Sequence, residues 1–189
     1  DNGYIYALAE EVKRLVTASH GQAAVLFTSY KAMEMVYGLM AGENLSVPLC
    51  RLDRGGAADI YRFRESKNGV LFASGALWEG IDLPGDILSM LIIVKLPFAV
   101  PDPISEYERT LYPSMEEYIS RVVVPQMIIK LKQGFGRLIR SETDTGVVAL
   151  LDFRVRLEGS YRECSLFALP DCRTTSDISA VEFFMRYIK

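Results

Sequence analysis

The sequence predicts an open α/β domain: a mostly parallel β-sheet with helices on both faces. Three observations point there. The strand-like runs AVLFTSY (24–30), VLFAS (70–74), SMLIIVKLPF (89–98) and GVVALLDFR (146–154) are apolar throughout rather than alternating, as strands buried on both faces are. These runs are separated by stretches with helical apolar stripes. Polar loops leave the carboxyl ends of the first three runs, where such sheets bind ligands, so functional residues are expected there.

Each element has its own signal. Residues 4–18 (YIYALAEEVKRLVTA) carry a stripe of Ile5, Leu8, Val12, Leu15 and Val16, one face of a helix. The loop ASHGQ leads into the first strand, and 31–41 reads as helix. VPLC (47–50) is a weak second strand. RFRESKNG predicts a helix ending near Gly69, before the strand VLFAS. The loop GALWEGIDLPGD (75–86) separates that strand from 89–98. Residues 103–120 read as a polar helix, and 122–140 as a second helix with Pro125 near its start. Residues 177–188 close the chain as an amphipathic helix, with Asp177 a candidate cap.

The totals bound the function. At 189 residues the chain suits one domain with a sizeable core. Its net charge of −3 excludes a uniformly basic nucleic-acid binder, so any such role rests on a local patch. Cys50, Cys164 and Cys172 form no CxxC pair, and His20 is the single histidine. That is no zinc or iron–sulfur spacing, and no metal ligand is expected here. Plain thiols in a reducing compartment are expected instead. Ser89 and Lys95 interrupt the longest apolar run, which is too short for a membrane span. The chain opens DNGYIY without an initiator Met, and reads as a fragment of a longer protein.

Chemistry-bearing stretches are few. No GxxxxGK[ST] phosphate loop is present, so the chain offers no way of its own to hold ATP phosphates and magnesium. No Ser/His/Asp or Cys/His nucleophile pattern is supported. The stretch KLKQGFGRLIRS (130–141) is unusual, because Gly134 and Gly136 sit in a helical pattern at about 1 kcal/mol each relative to Ala. On a helix Gln133, Arg137 and Arg140 share one stripe. Guanidinium forks there suit a phosphate or carboxylate, and the glycines let another surface approach. By spacing alone, a solvated basic face fits as well. The loop 75–86 leaves the same choice: Glu79 and Asp82 flank Gly80, either as a presented site or as an ordinary connection under Trp78.

Taken together, these stretches resemble the second RecA-like motor domain of a superfamily 2 helicase of the DinG/XPD-like branch. LFTSY (26–30) is similar to motif IV, SGALWEGIDLPG (74–85) to motif V, and QGFGRLIRS (133–141) to motif VI in its QxxGRxIR form. TDTGVVALLDFR (143–154) resembles the segment that follows. The motifs stand in family order, and the resemblance covers residues 4–188. WEGIDLPG and LPFAVPDP (96–103) are closer to bacterial DinG than to XPD.

The resemblance implies a RecA-like fold over residues 1–189 and a role as half of an ATP-driven motor in a bacterial, cytoplasmic DNA-repair helicase. ATP and Mg²⁺ would be held mainly by a first motor domain outside this chain, which also leaves open an iron–sulfur cluster there. Arg137 matches the arginine finger, Arg140 the second motif VI arginine and Gln133 the leading glutamine. Glu79, Gly80 and Asp82 match the nucleotide-coupling positions of motif V. Thr28, Ser29, Tyr30 and Ser74 match DNA-backbone contacts. The implied partners are that first domain of the same chain and single-stranded, forked or R-loop DNA, with 5′–3′ translocation, no membrane and a monomeric protein. Asp152 and Arg154 match a family D-x-R and read as structural rather than catalytic. A catalytically inactive RecA-like module that binds nucleic acid or protein is the alternative. A fused exonuclease elsewhere in the longer protein also stays open.

Overall fold

The computed structural model describes residues 2–52, 57–75, 88–139, 141 and 143–187. The described strands are β1 (Ala23–Phe27), β2 (Leu49–Arg51), β3 (Val70–Ser74), β4 (Met90–Ile93) and β5 (Val147–Leu150). They form one sheet in the order β2-β3-β1-β4-β5, and each pairing is parallel. This is the expected architecture. β1, β3 and β4 are buried along their whole length, whereas β5, at the sheet's edge, is half-buried. Uniform apolarity therefore reported burial on both faces.

The two faces divide the side chains by alternation. Val25, Phe27, Phe72 and Ile92 pack with α1 (Asn2–Ser19), α2 (Tyr30–Ala41) and a closing helix at Ile178–Met185. Ala24, Leu26, Leu71 and Ile93 pack with Phe63 of α3 (Ala57–Ser66) and with Met127 and Leu131 of a helix at Val124–Phe135. Each large side chain buried this way contributes about 1.5–3 kcal/mol. The α1 stripe of Ile5, Leu8, Val12, Leu15 and Val16 is buried as its spacing predicts.

Between α1 and β1 the chain turns through Gly21, at φ +81°. A Cβ there would lie 1.8 Å from the Asn68 carbonyl oxygen, so only glycine fits. The turn lets the Ala23 N–H reach the Gly69 carbonyl at 3.3 Å and starts β1 beside β3.

The segment after β4 departs from the expected pair of helices. Residues 103–120 split into α4 (Pro103–Thr110) and α5 (Met115–Tyr118). Asp102 caps α4 through a reciprocal pair of bonds with Ser105, and Ser114 caps α5 by accepting from the Glu117 N–H. A π-helical turn, Ile119–Val123, then leads into α6 (Val124–Phe135), with the Val124 N–H bonded to the Ile119 carbonyl. Pro125 gives the cause: it has no N–H, and its ring would clash with the carbonyl four residues earlier. Two short elements were not expected, a 3₁₀ turn at Phe153–Val155 and α7 (Arg162–Phe167). The closing helix is α8 (Ile178–Met185), capped by Asp177 as predicted, with Oδ1 accepting from the Ser179 N–H at 2.9 Å.

Candidate functional site

The parallel register lines up the carboxyl ends of the strands. Phe27 pairs with Ser74, and Leu26 pairs with Ile93. Thr28, Ser29 and Tyr30 follow β1 directly and are exposed. Ser29 is also the N-cap of α2, its Oγ accepting from the Ala32 N–H at 3.3 Å. One lone pair is thereby used for structure, while the hydroxyl hydrogen stays able to donate. Ser74 ends β3 and is buried. Gly75 turns the chain away at φ +61° with its N–H on the Phe27 carbonyl. A Cβ there meets nothing within 4 Å, so the backbone angle and not crowding calls for glycine.

Across the β1–β4 seam the Val94 N–H donates to the Leu26 carbonyl at 3.1 Å. Lys95 then stands exposed between buried Val94 and Leu96. Its Nζ lies 5.0 Å from the centre of the Tyr4 ring, on the first turn of α1. In the sequence Lys95 interrupts an apolar run. That interruption was the signal: a charge tolerated at the end of a buried strand has to point into solvent at the strand's end.

Leu96 is tied down from the other side. Asp152, just beyond β5, accepts from the Leu96 N–H at 2.9 Å. Arg154 grips the same carboxylate with two bonds, Nε to Oδ1 at 2.9 Å and NH2 to Oδ2 at 2.6 Å. The guanidinium lies 4.6 Å from the centre of the Phe98 ring and 5.7 Å from that of Tyr161. Burial pushes the Asp152 carboxyl up, but the Arg154 side chain, the Leu96 and Arg154 N–H groups and the Arg154 charge together hold it below its ordinary value. Both carboxylate oxygens accept bonds from within the chain, which supports a structural role for this pair.

Arg137 lies toward the other ends of the strands. α6 ends at Phe135, short of the predicted 140, with Gly136 as its cap. Hydrogen-bonded turns follow, from the Arg137 N–H to Gly134 at 3.1 Å and from the Leu138 N–H to Phe135 at 2.9 Å. Leu138 is buried, and its methyl carbons sit where a Cβ on Gly146 would be 2.8 Å away. Gly146 directly precedes β5, so Arg137 belongs to the amino edge. Gln133 and Arg137 do not leave the carboxyl end of a strand, because the segment after β4 crosses back over the sheet before β5.

The two glycines do different things. Gly134 is buried in α6. Gly136 is exposed, and among the described residues a Cβ there would meet only the Lys132 and Gln133 carbonyl oxygens, at 3.4 and 3.7 Å. The open approach therefore belongs to Gly136. Gln133 is exposed in the last turn of α6, and half-buried Arg137 follows the helix end, so the single helical stripe is not continuous. Glu79, Gly80, Asp82 and Arg140 lie outside the described residues.

The helicase C-terminal domain family matches residues 12–170. The chain belongs to this family. It is 33% identical over 187 residues to the ATP-dependent DNA helicase YoaA of Haemophilus influenzae, covering 95% of this chain and 28% of that protein. It is 33% identical over 179 residues to the ATP-dependent helicase DinG of Mycobacterium tuberculosis, covering 93% of this chain and 27% of that one. The helicase C-terminal domain thus spans just over a quarter of the length of these relatives. Among solved structures, an XPD helicase superposes with a TM-score of 0.71 at 24% identity, over 92% of this chain and 32% of that one. That likeness speaks to the fold, an open RecA-like α/β domain. The DinG/XPD-type resemblance read from the motifs agrees with both results. Among the described residues no helix is long and apolar enough to cross a membrane.

Proposed function

We propose that residues 1–189 are the second motor domain of an ATP-dependent DNA helicase, and that Arg137 and Arg140 act on ATP held by a first motor domain of the same protein. The observation that carries this is the turn at residues 136–138, beyond the end of α6. Leu138, locked against Gly146, fixes the backbone beside Arg137, and exposed Gly136 leaves room for a facing surface. A guanidinium at a transferring phosphoryl group stabilises the charge that develops there, and such fingers are worth about 10³–10⁵ in rate. ATP with magnesium supplies the phosphoryl group and its charge-neutralising cation, and the first domain would hold both. Gln133, Glu79, Gly80 and Asp82 complete the nucleotide-facing set.

The carboxyl edge, with Thr28, Ser29, Tyr30 and Ser74, forms part of a track for single-stranded DNA. Its contacts go to the sugar–phosphate backbone and are independent of sequence. A sheet with Arg137 toward its amino edge and Thr28–Tyr30 at its carboxyl edge links nucleotide and DNA mechanically. Closure and opening of the interdomain cleft alter the grip on the strand, and translocation runs 5′ to 3′. The chain alone hydrolyses no ATP, for want of a phosphate loop.

ATP hydrolysis by the full-length protein, measured with and without a single-stranded oligonucleotide, tests this reading. Stimulation by DNA is expected. Turnover that ignores DNA, or none at all, would favour an inactive RecA-like binding module.

A further inference from the structure

The structure assigns Lys95 as a phosphate contact of the single-strand track, steered by the ring of Tyr4. This rests on the track proposed for the carboxyl edge. Lys95 follows the end of β4 at Ile93 as Thr28 follows the end of the neighbouring β1 at Phe27, so both stand at the carboxyl ends of adjacent strands.

The backbone carrying Lys95 is fixed on both sides. The Val94 N–H is bonded to the Leu26 carbonyl, and the Leu96 N–H to Asp152 Oδ2. The flanking side chains are 2% exposed, whereas Lys95 is exposed. Its Nζ stands 5.0 Å from the Tyr4 ring centre, within the range over which a ring face attracts an ammonium. Tyr4 itself is 42% exposed. The neighbouring carboxylate, Asp152, is taken up by Arg154, and among the described residues Lys95 joins no ion pair. A lysine on a fixed backbone beside an aromatic face, at the same strand ends as the exposed hydroxyls of Thr28 and Ser29, matches a nucleic-acid backbone: the ammonium takes a phosphate, and the hydroxyls donate to its neighbours. The chain's net charge of −3 means that this cation is not one of a generally basic surface.

The test is binding of a fluorescent oligothymidylate to the full-length protein across a salt series. Wild type is compared with Lys95→Ala, Lys95→Arg, Tyr4→Leu and, as a distant charge control on α3, Arg62→Ala. One phosphate contact on a single strand contributes about 0.7 to the slope of log affinity against log salt, or about fivefold in affinity near 0.1 M salt. Lys95→Ala is expected to lose both, Lys95→Arg to retain the slope, and Arg62→Ala to match wild type. Tyr4→Leu keeps the slope and weakens binding by about twofold. A Lys95→Ala variant with the wild-type slope, in a protein that binds the oligonucleotide, overturns the assignment and leaves the track intact. Failure of wild type to bind overturns both.

Discussion

Removing the Asp152 carboxylate should damage stability far more than its short sequence signal suggests. Its side chain is 3% exposed and that of Arg154 is 30% exposed. Asp152→Ala leaves the Leu96 N–H without its acceptor, which costs about 1–3 kcal/mol when buried. Breaking a buried pair from one side costs about 3–5 kcal/mol, reduced here because Arg154 reaches solvent. The expected loss is about 3 kcal/mol. Asp152→Asn keeps an acceptor for Leu96 and should lose about 1–2 kcal/mol. Urea unfolding at pH 7 measures both. The pH dependence supplies an independent check. A carboxyl held below its ordinary value stabilises the fold fully above its unfolded pKa of about 3.9. That contribution is lost as pH falls through the lower folded value. The gap between wild type and Asp152→Asn should therefore be constant at neutral pH and close on acidification below about pH 4. An Asp152→Ala variant within about 0.5 kcal/mol of wild type, the ordinary scatter of surface substitutions, would refute the reasoning.

Other perturbations separate scaffold from site. Gly146→Ala drives a Cβ to within 2.8–2.9 Å of three Leu138 carbons. It should cost about 1–3 kcal/mol and, by shifting the Arg137 turn, depress ATP turnover in the full-length protein; unchanged turnover would separate Leu138 from the site. Ser29→Ala removes the α2 cap and should cost about 0.5–2 kcal/mol. Ser29→Asp keeps the cap but places a negative charge at the proposed DNA edge, so thermal unfolding should be near wild type while oligonucleotide binding weakens. Equal binding by wild type and Ser29→Asp would argue against DNA at this edge.

Much of the fold was legible because burial writes directly into composition. β1, β3 and β4 lie inside the sheet between two helical layers, so each position could be apolar, and the runs stood out. The α1 stripe and the Asp177 cap were equally direct. The helix breaks were harder. Pro113 and Ser114 mark the gap between α4 and α5, but the surrounding polar residues suit a continuous exposed helix. The π turn at Ile119–Val123 follows from Pro125, whose effect falls on residues before it. α7 has six residues and leaves Phe167 86% exposed, so no periodicity develops. Of the candidate site, Thr28–Tyr30 and Ser74 stood at the strand ends as predicted. The position of Arg137 depended on the path of the long segment between β4 and β5, which local pattern does not specify. Tyr4 and Lys95 meet through the packing of α1 against the sheet, 91 residues apart in sequence.

The most direct test of the central claim is DNA-stimulated ATP hydrolysis by the full-length protein carrying Arg137→Ala, with nucleotide binding measured in parallel. Turnover should fall by about 10³-fold or more while ATP still binds, and Arg137→Lys should recover little of it, since an ammonium lacks the fork. A variant that hydrolyses ATP at the wild-type rate with full DNA stimulation would contradict the assignment of Arg137 to the nucleotide.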